Sequence, residues 1–335
     1  MTKELLSTTA TQGPVLLHSS GFEVVILPQR GYLISQIRSI TYDCDLLWTT
    51  PEREPFRHGL GPPGAPSIDT FHRSFAGGWF AMIPTAGLPG EIGGVMSWHH
   101  GEAARVAWDA TAISSDRTHL TAEVNVANGD LNVIRTVEAG RTAVIVTSRL
   151  TNVGNSSIVW SAGEHPCFDR ATFAGGRMSL TPSRSWIPAP HYDPAPSRLA
   201  SVDSFDWPYV ATSDARTVDL SLIPETRTSR HEHVALALQR SDILLPAPRH
   251  GLTVRLSVSP TMPYLLLWQK FDTELYDVFA LEPCTSAGRS VGEAFAQNSM
   301  RKLDPGCSVT LKVVLEVAKA SRSANSFRHP EMGKQ

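Results

Sequence analysis

The chain has 335 residues, with 30 Lys and Arg against 32 Asp and Glu, 41% hydrophobic residues and 19% charged ones. A formal net charge of -2 gives no electrostatic footprint for nucleic acid or an anionic membrane, so the expected partner is a small molecule or another protein. The length admits one large all-β domain, and the longest apolar runs, such as YLLLW at 264–268, fall far short of the roughly 20 residues a membrane helix needs.

The first 20 residues lack the sustained apolar core and cleavage site of a secretory signal, and the expected location is cytoplasmic. Strand patterns then follow almost without interruption. FEVVILP, GYLISQIRSI, LTAEVNVA, LNVIRTVEA, TAVIVTSRLTNV, LTVRLSVSP and VTLKVVLEVA are rich in β-branched residues, and several alternate apolar with polar as half-buried antiparallel strands do. The stretch from 129 to 160, with runs separated by EAGR and NVGNSS, predicts a meander in a large antiparallel sheet. HGLGPPGAPSID at 58–69 and PSRSWIPAPHYDPAPSRLA at 182–200 are rich in Pro and Gly and predict long loops, where ligand sites usually gather. The domain expected is a single β-sandwich over 1–318, followed by a disordered polar tail at 319–335. Cys44, Cys167, Cys284 and Cys307 lie far apart without a CxxC pair, and read as free buried thiols.

Three clusters carry residues suited to chemistry. The first, FAGGWFAMIPTAGLPGEIGGVMSWHHGEAARVAW at 75–108, combines glycines that permit close approach with the flat apolar faces of Trp79, Trp98 and Trp108, a surface that suits a sugar ring. In the second, WSAGEHPCFD, Pro166 restricts His165 to an extended backbone and so to one direction at a strand end. In the third, YDVFALEPCTSAGR, Glu282 ends an apolar strand, where partial desolvation raises a carboxyl pKa toward the range of a general base. Taken singly, His165 reads more readily as a hydrogen-bonded structural histidine and Glu282 as a paired or surface carboxylate, and Arg105 also fits a surface partner of Glu102. RHEHVAL places His231 and His233 in an H-x-H arrangement used by metal-binding barrels, but no glutamate follows at short spacing, so it reads as a solvated strand edge.

In this order the three clusters resemble the signature regions of the aldose 1-epimerase or galactose mutarotase-like superfamily: an H-G motif followed by arginine and tryptophan, a later H-P-x-F, and an E-P-x-T after an aromatic strand. The resemblance spans about residues 73 to 290. It implies a large antiparallel β-supersandwich with the three clusters on one concave face, and an isomerase that interconverts sugar anomers without metal or other cofactor. By motif matching, His165 takes the place of the general acid, Glu282 that of the general base, and His100 that of the sugar-binding histidine. Arg105, Arg73, Trp79, Trp98 and Trp268 join as candidate substrate contacts, with Arg73 and Arg105 available for a sugar phosphate. His99, next to His100, is expected on the opposite sheet face if the strand continues that far. The turn that carries Asn in many relatives has Thr85 here, and none of Asp203, Asp206, Asp214 and Asp219 sits in a motif matching the sugar-binding aspartate. Two further readings stay open: a non-catalytic carbohydrate-binding or regulatory protein on the same fold, and an epimerase of a hexose phosphate. A monomer and a homodimer are equally compatible with the sequence.

Overall fold

The computed structural model describes residues 5–6, 13–50, 75–92, 94–188, 197–200, 202–271 and 276–320. Among them, two large antiparallel sheets dominate. The first has eight strands in the spatial order Leu5–Leu6, Asp109–Ser114, His119–Val126, Leu131–Ala139, Ala143–Asn152, Ser308–Lys319, Leu252–Val258 and Asp242–Ala247. The second has ten, running Pro182–Trp186, His231–Leu238, Tyr264–Lys270, Val278–Cys284, Gly163–Asp169, Trp79–Met82, Leu33–Ser39, Phe22–Leu27 and Val15–His18, with Cys44–Asp45 beside Leu33–Ser39.

The eight-stranded sheet follows the two-residue alternation of its sequence. In Leu131–Ala139, the residues Leu131, Val133, Arg135, Val137 and Ala139 are buried while those between them are more exposed, so one face meets the core and the other meets water. Facing it, the ten-stranded sheet contributes Trp79, Phe168, Leu267, Phe279 and Leu281 to the same apolar core. A polar contact crosses this interface. Arg135 of one sheet forms a two-pronged ion pair with Glu164 of the other, at 2.5 and 2.8 Å, and Glu164 also accepts the indole N–H of Trp79 at 2.8 Å.

The central strands of the ten-stranded sheet are buried on both faces, and Val278–Cys284 is buried at all seven positions. Their outer face carries a second apolar cluster, in which Phe80, Cys167, Leu266, Trp268 and Ala280 pack against Trp48, Phe75, Ala86, Ala104 and Ala287 from the connecting segments. That covering keeps water from the outer face, and the candidate site lies within it.

Several expectations are corrected by the topology. Residues 182–186, expected in a long loop, form an edge strand paired with His231–Leu238; an edge accepts Pro182 as its first residue because no inner ladder there needs the missing N–H. Residues 189–196 of that stretch, and the predicted loop at 58–69, lie outside the described residues. The predicted meander holds for the hairpin between Leu131–Ala139 and Ala143–Asn152, but Ile158–Trp160 pairs with Arg301–Leu303 instead. The twelve-residue strand Ser308–Lys319 takes the position beside Ala143–Asn152, pairing with it on one side and with Leu252–Val258 on the other. That strand includes the first residue of the expected tail, and residues 321–335 lie outside the described set. Cys44, Cys167 and Cys284 are buried free thiols, whereas Cys307 is exposed. No helix among the described residues is long and apolar enough to cross a membrane.

Candidate active site

The site is built on two antiparallel neighbours of the ten-stranded sheet. Gly163 pairs with Cys284 and Cys167 with Ala280, which places His165 opposite Glu282 midway between those rungs. The intervening ladder is interrupted, as Pro166 and Pro283 have no N–H to donate. Phe80 pairs with His165 on the next strand, and Leu266 pairs with Glu282 on the other side. The row Phe80, His165, Glu282, Leu266 therefore crosses four strands on one face, as the period of two requires.

The two polar members of the row touch. Nε2 of His165 lies 3.3 Å from Oε1 of Glu282, and both side chains are almost fully buried. Phe80 stacks on the His165 ring with centroids 4.5 Å apart and planes 18° apart. Burial lowers the His165 pKa to about 3. Burial also raises that of Glu282 to about 8, against a smaller opposing effect of the Arg289 charge. At neutral pH the ligand-free pair therefore holds one ionisable proton in its uncharged form, carboxylic acid beside neutral imidazole.

His100 approaches from the covering segment. It sits in a turn, not a strand, with its backbone in the left-handed region at φ 60°, followed by Gly101 at φ 76°. A Cβ on Gly101 would lie 2.2 Å from the carbonyl oxygen of Ile83, so the turn needs glycine there. The backbone N–H of Gly87 donates to Nδ1 of His100 at 3.3 Å, which makes Nδ1 an acceptor and turns Nε2 into the donor. The His100 and His165 ring centroids are 5.0 Å apart.

His100, His165 and Glu282 line a pocket of ≈ 410 Å³, completed by Phe75, Gly87, Leu88, His99, His233, Leu266, Trp268 and Arg289. That volume is within the usual range for small-molecule sites. Trp268 forms an aromatic wall, its indole N–H donating to Nε2 of His231 at 3.3 Å.

Folds that match this arrangement occur among solved structures. The chain superimposes on the Slr1438 protein from Synechocystis sp. PCC 6803 with a TM-score of 0.67, 16% identity, 94% of this chain and 99% of that one covered. It superimposes on the galactose mutarotase related enzyme from Lactobacillus acidophilus with a TM-score of 0.64, 14% identity, and coverage of 92% and 99%. An Escherichia coli K12 protein provisionally named an aldose 1-epimerase gives 0.65, 18% identity, and coverage of 92% and 99%. This chain has the galactose mutarotase-like fold. No family model matches the sequence, and no curated protein matches it.

Within the galactose mutarotase-like fold, His165, Glu282, His100 and Trp268 converge on one pocket, while other expected contacts do not. Trp79 faces the inter-sheet core, fully buried and bonded to Glu164, because it is one residue out of phase with Phe80 on an alternating strand. Trp98 and Arg105 stack on each other at 3.9 Å and line no part of this pocket. Both terminal nitrogens of Arg105 are buried without an acceptor among the described residues, and burial lowers its pKa to about 10. Arg73 lies outside the described residues. His99, expected on the opposite face, lines the same pocket as His100, since turn geometry and not strand alternation sets its direction. The H-x-H pair is not a solvated edge: His231–Leu238 is an inner strand, His231 is buried, and His233 lines the pocket. Among the described residues no group of three or more His, Cys, Asp or Glu side chains is placed to hold a metal ion. Asp214 and Asp219 are engaged by Arg216 and Arg177, and Asp203 and Asp206 are exposed, so none of the four lines the pocket. Arg289, which also lines the pocket, went unread in the sequence.

Proposed function

We propose that the protein is an aldose 1-epimerase-like isomerase that interconverts the α and β anomers of a sugar. The observation that carries this reading is the contact between His165 and Glu282 in a buried pocket, two groups whose pKa values burial drives in opposite directions. Anomer exchange requires removal of the C1 hydroxyl proton and protonation of the ring oxygen, two atoms attached to one carbon. Glu282 as carboxylate takes the first proton, and His165 gives one from Nε2 to the second. The C1–O bond of the ring then breaks, leaving the open-chain aldehyde, a protonated Glu282 and a neutral His165. Rotation about C1–C2 and reclosure with the roles reversed yields the other anomer, and the pair returns to its starting charge.

The proton inventory supports this cycle. The uncharged pair that burial favours and the ion pair that opens the ring contain the same single proton, so a proton shift between atoms 3.3 Å apart interconverts them. Neither a redox change nor a covalent intermediate is required. His100, donating from Nε2, binds and polarises a sugar oxygen, and Trp268 offers an apolar wall for a ring face.

A second reading concerns the substrate. Arg289 places a guanidinium in the pocket wall, which is compatible with a sugar that carries an anionic group such as phosphate, whereas Arg105 lines no part of the pocket.

Anomer equilibration followed by NMR, for freshly dissolved aldoses and aldose phosphates with and without protein, tests both. Acceleration for one compound, abolished by Glu282→Gln, supports the isomerase reading and names the substrate class. Binding without acceleration across the panel points to a carbohydrate-binding protein on the same fold.

A further inference from the structure

The reading of His165 as an acid–base group leaves open what fixes the other side of its ring. Cys167 follows two residues later on the same strand and therefore projects from the same face. Its Sγ lies 3.3 Å from Nδ1 of His165, and 3.9 Å from the His165 carbonyl oxygen. Phe80 stacked on one ring face leaves the imidazole little freedom to turn, so the contacts at its two nitrogens decide where the hydrogen resides. We propose that Cys167 is a positioning residue for His165: its sulfur accepts the Nδ1 hydrogen and so reserves Nε2, the nitrogen facing Glu282, for proton exchange.

The chemistry of the thiol suits this task. Burial, reinforced by the Glu282 charge, pushes the Cys167 pKa well above its ordinary value, so the group stays S–H across the neutral range. The S–H is then directed at the His165 carbonyl, and a sulfur lone pair remains for Nδ1–H. When one imidazole nitrogen is held as a donor, the other is the one that gains and loses protons. Throughout the anomer cycle Nδ1 keeps its hydrogen while Nε2 passes its own to the ring oxygen and recovers it.

Sulfur also differs in strength from a carboxylate in the same role. A carboxylate behind a histidine stabilises the imidazolium, whereas a neutral thiol is a weak acceptor that orients the ring with little stabilisation of the charged form. The acid on Nε2 therefore stays strong and transfers readily to a weakly basic ring oxygen.

The test uses the full chain with ¹⁵N-labelled histidine, comparing wild type, Cys167→Ala and Cys167→Ser, with the His165 signals assigned by their loss in His165→Asn. In ligand-free wild type at neutral pH, the two-bond ¹H–¹⁵N spectrum is expected to show His165 with Nδ1 protonated and Nε2 bare. Cys167→Ala should move both nitrogens toward averaged shifts, and Cys167→Ser, whose oxygen donates and accepts in the same way, should restore the single form. For the sugar that the protein turns over, Cys167→Ala should lower kcat about tenfold with little change in KM, and Cys167→Ser should recover most of it. A single unshifted tautomer in Cys167→Ala overturns the positioning role, whatever happens to activity. A tautomer shift in a protein that accelerates no sugar supports the positioning role and rejects the isomerase reading.

Discussion

Glu164 and His165 are chain neighbours that face opposite sides of one sheet. Glu164 binds Arg135 in the dry interface between the sheets, and His165 meets Glu282 in the pocket. His165, the acid of the proposed reaction, is thus carried by backbone that is anchored from behind by an ion pair. A buried pair broken on one side leaves an uncompensated charge, so Arg135→Met is expected to destabilise the fold by about 3–5 kcal/mol. Replacing Arg135 and Glu164 together with methionine should recover much of that loss. Denaturant titration of the single and double variants checks both.

Removing proton-transfer capacity while keeping shape separates chemistry from folding. Glu282→Gln and His165→Asn are each expected to reduce turnover by roughly 10²- to 10⁴-fold. Circular dichroism spectra should stay unchanged. Full activity in both variants would show that other groups move the protons.

The pH profile follows from the single shared proton. Glu282 holds its proton up to about pH 8, and His165 stays neutral down to about pH 3. Without substrate, the pair carries one ionisable proton only between those limits. A plot of kcat/KM against pH is expected to be flat through neutrality and to fall above about pH 8 as Glu282 ionises, with the limbs belonging to the pair and not to either residue alone.

The same burial makes Glu282 a stability cost at alkaline pH. Below the usual carboxyl pKa of 4.5 both folded and unfolded chains hold the proton. From there to about 8 only the folded chain does, so the Glu282 contribution to stability falls as pH rises through this window and then levels off, with His165, protonated only in the unfolded chain up to 6.5, opposing it in the lower part. Gln at this position has no such dependence. Glu282→Gln should therefore gain on the wild type by up to about 1.4 kcal/mol per pH unit across the window, as read from melting or denaturation midpoints.

The turn that presents His100 is equally open to test. Gly101→Ala places a methyl group against the Ile83 carbonyl in a backbone region that alanine avoids. A stability loss above about 1 kcal/mol is expected. Because His100 is displaced with the turn, KM for the sugar should rise while His165 and Glu282, held by the sheet, keep their contact. Denaturation curves and Michaelis kinetics together check this.

The sheets were legible because their strands alternate or are rich in β-branched residues, as Leu131–Ala139 and Ser308–Lys319 illustrate. His165 and Glu282 were legible because each precedes a proline within an ordered set of motifs. Phase was harder to read. Trp79 and Phe80 are both buried aromatics, and the pairing of Phe80 with His165 tells which one lies on the pocket's side of the sheet. His231 and His233 looked like an exposed edge because strand order is a property of the whole sheet, and an inner strand with polar residues reads locally like an outer one. His99 was misplaced because a left-handed residue ended the alternation on which its direction was argued. Arg289 reaches the pocket from beyond a strand end, where no periodicity applies.

The pocket draws its parts from two kinds of structure. His165 and Glu282 stand on neighbouring central strands, where any shift would disturb the core on the far side, whereas His99, His100, Leu88 and Arg289 are delivered by turns and connections. Chains of this design can diverge in what they admit by rewriting a few connecting residues, with the reacting pair left in place. Paralogues would then share a reaction and differ in diet, and their overall similarity would be a poor guide to the compound each one consumes.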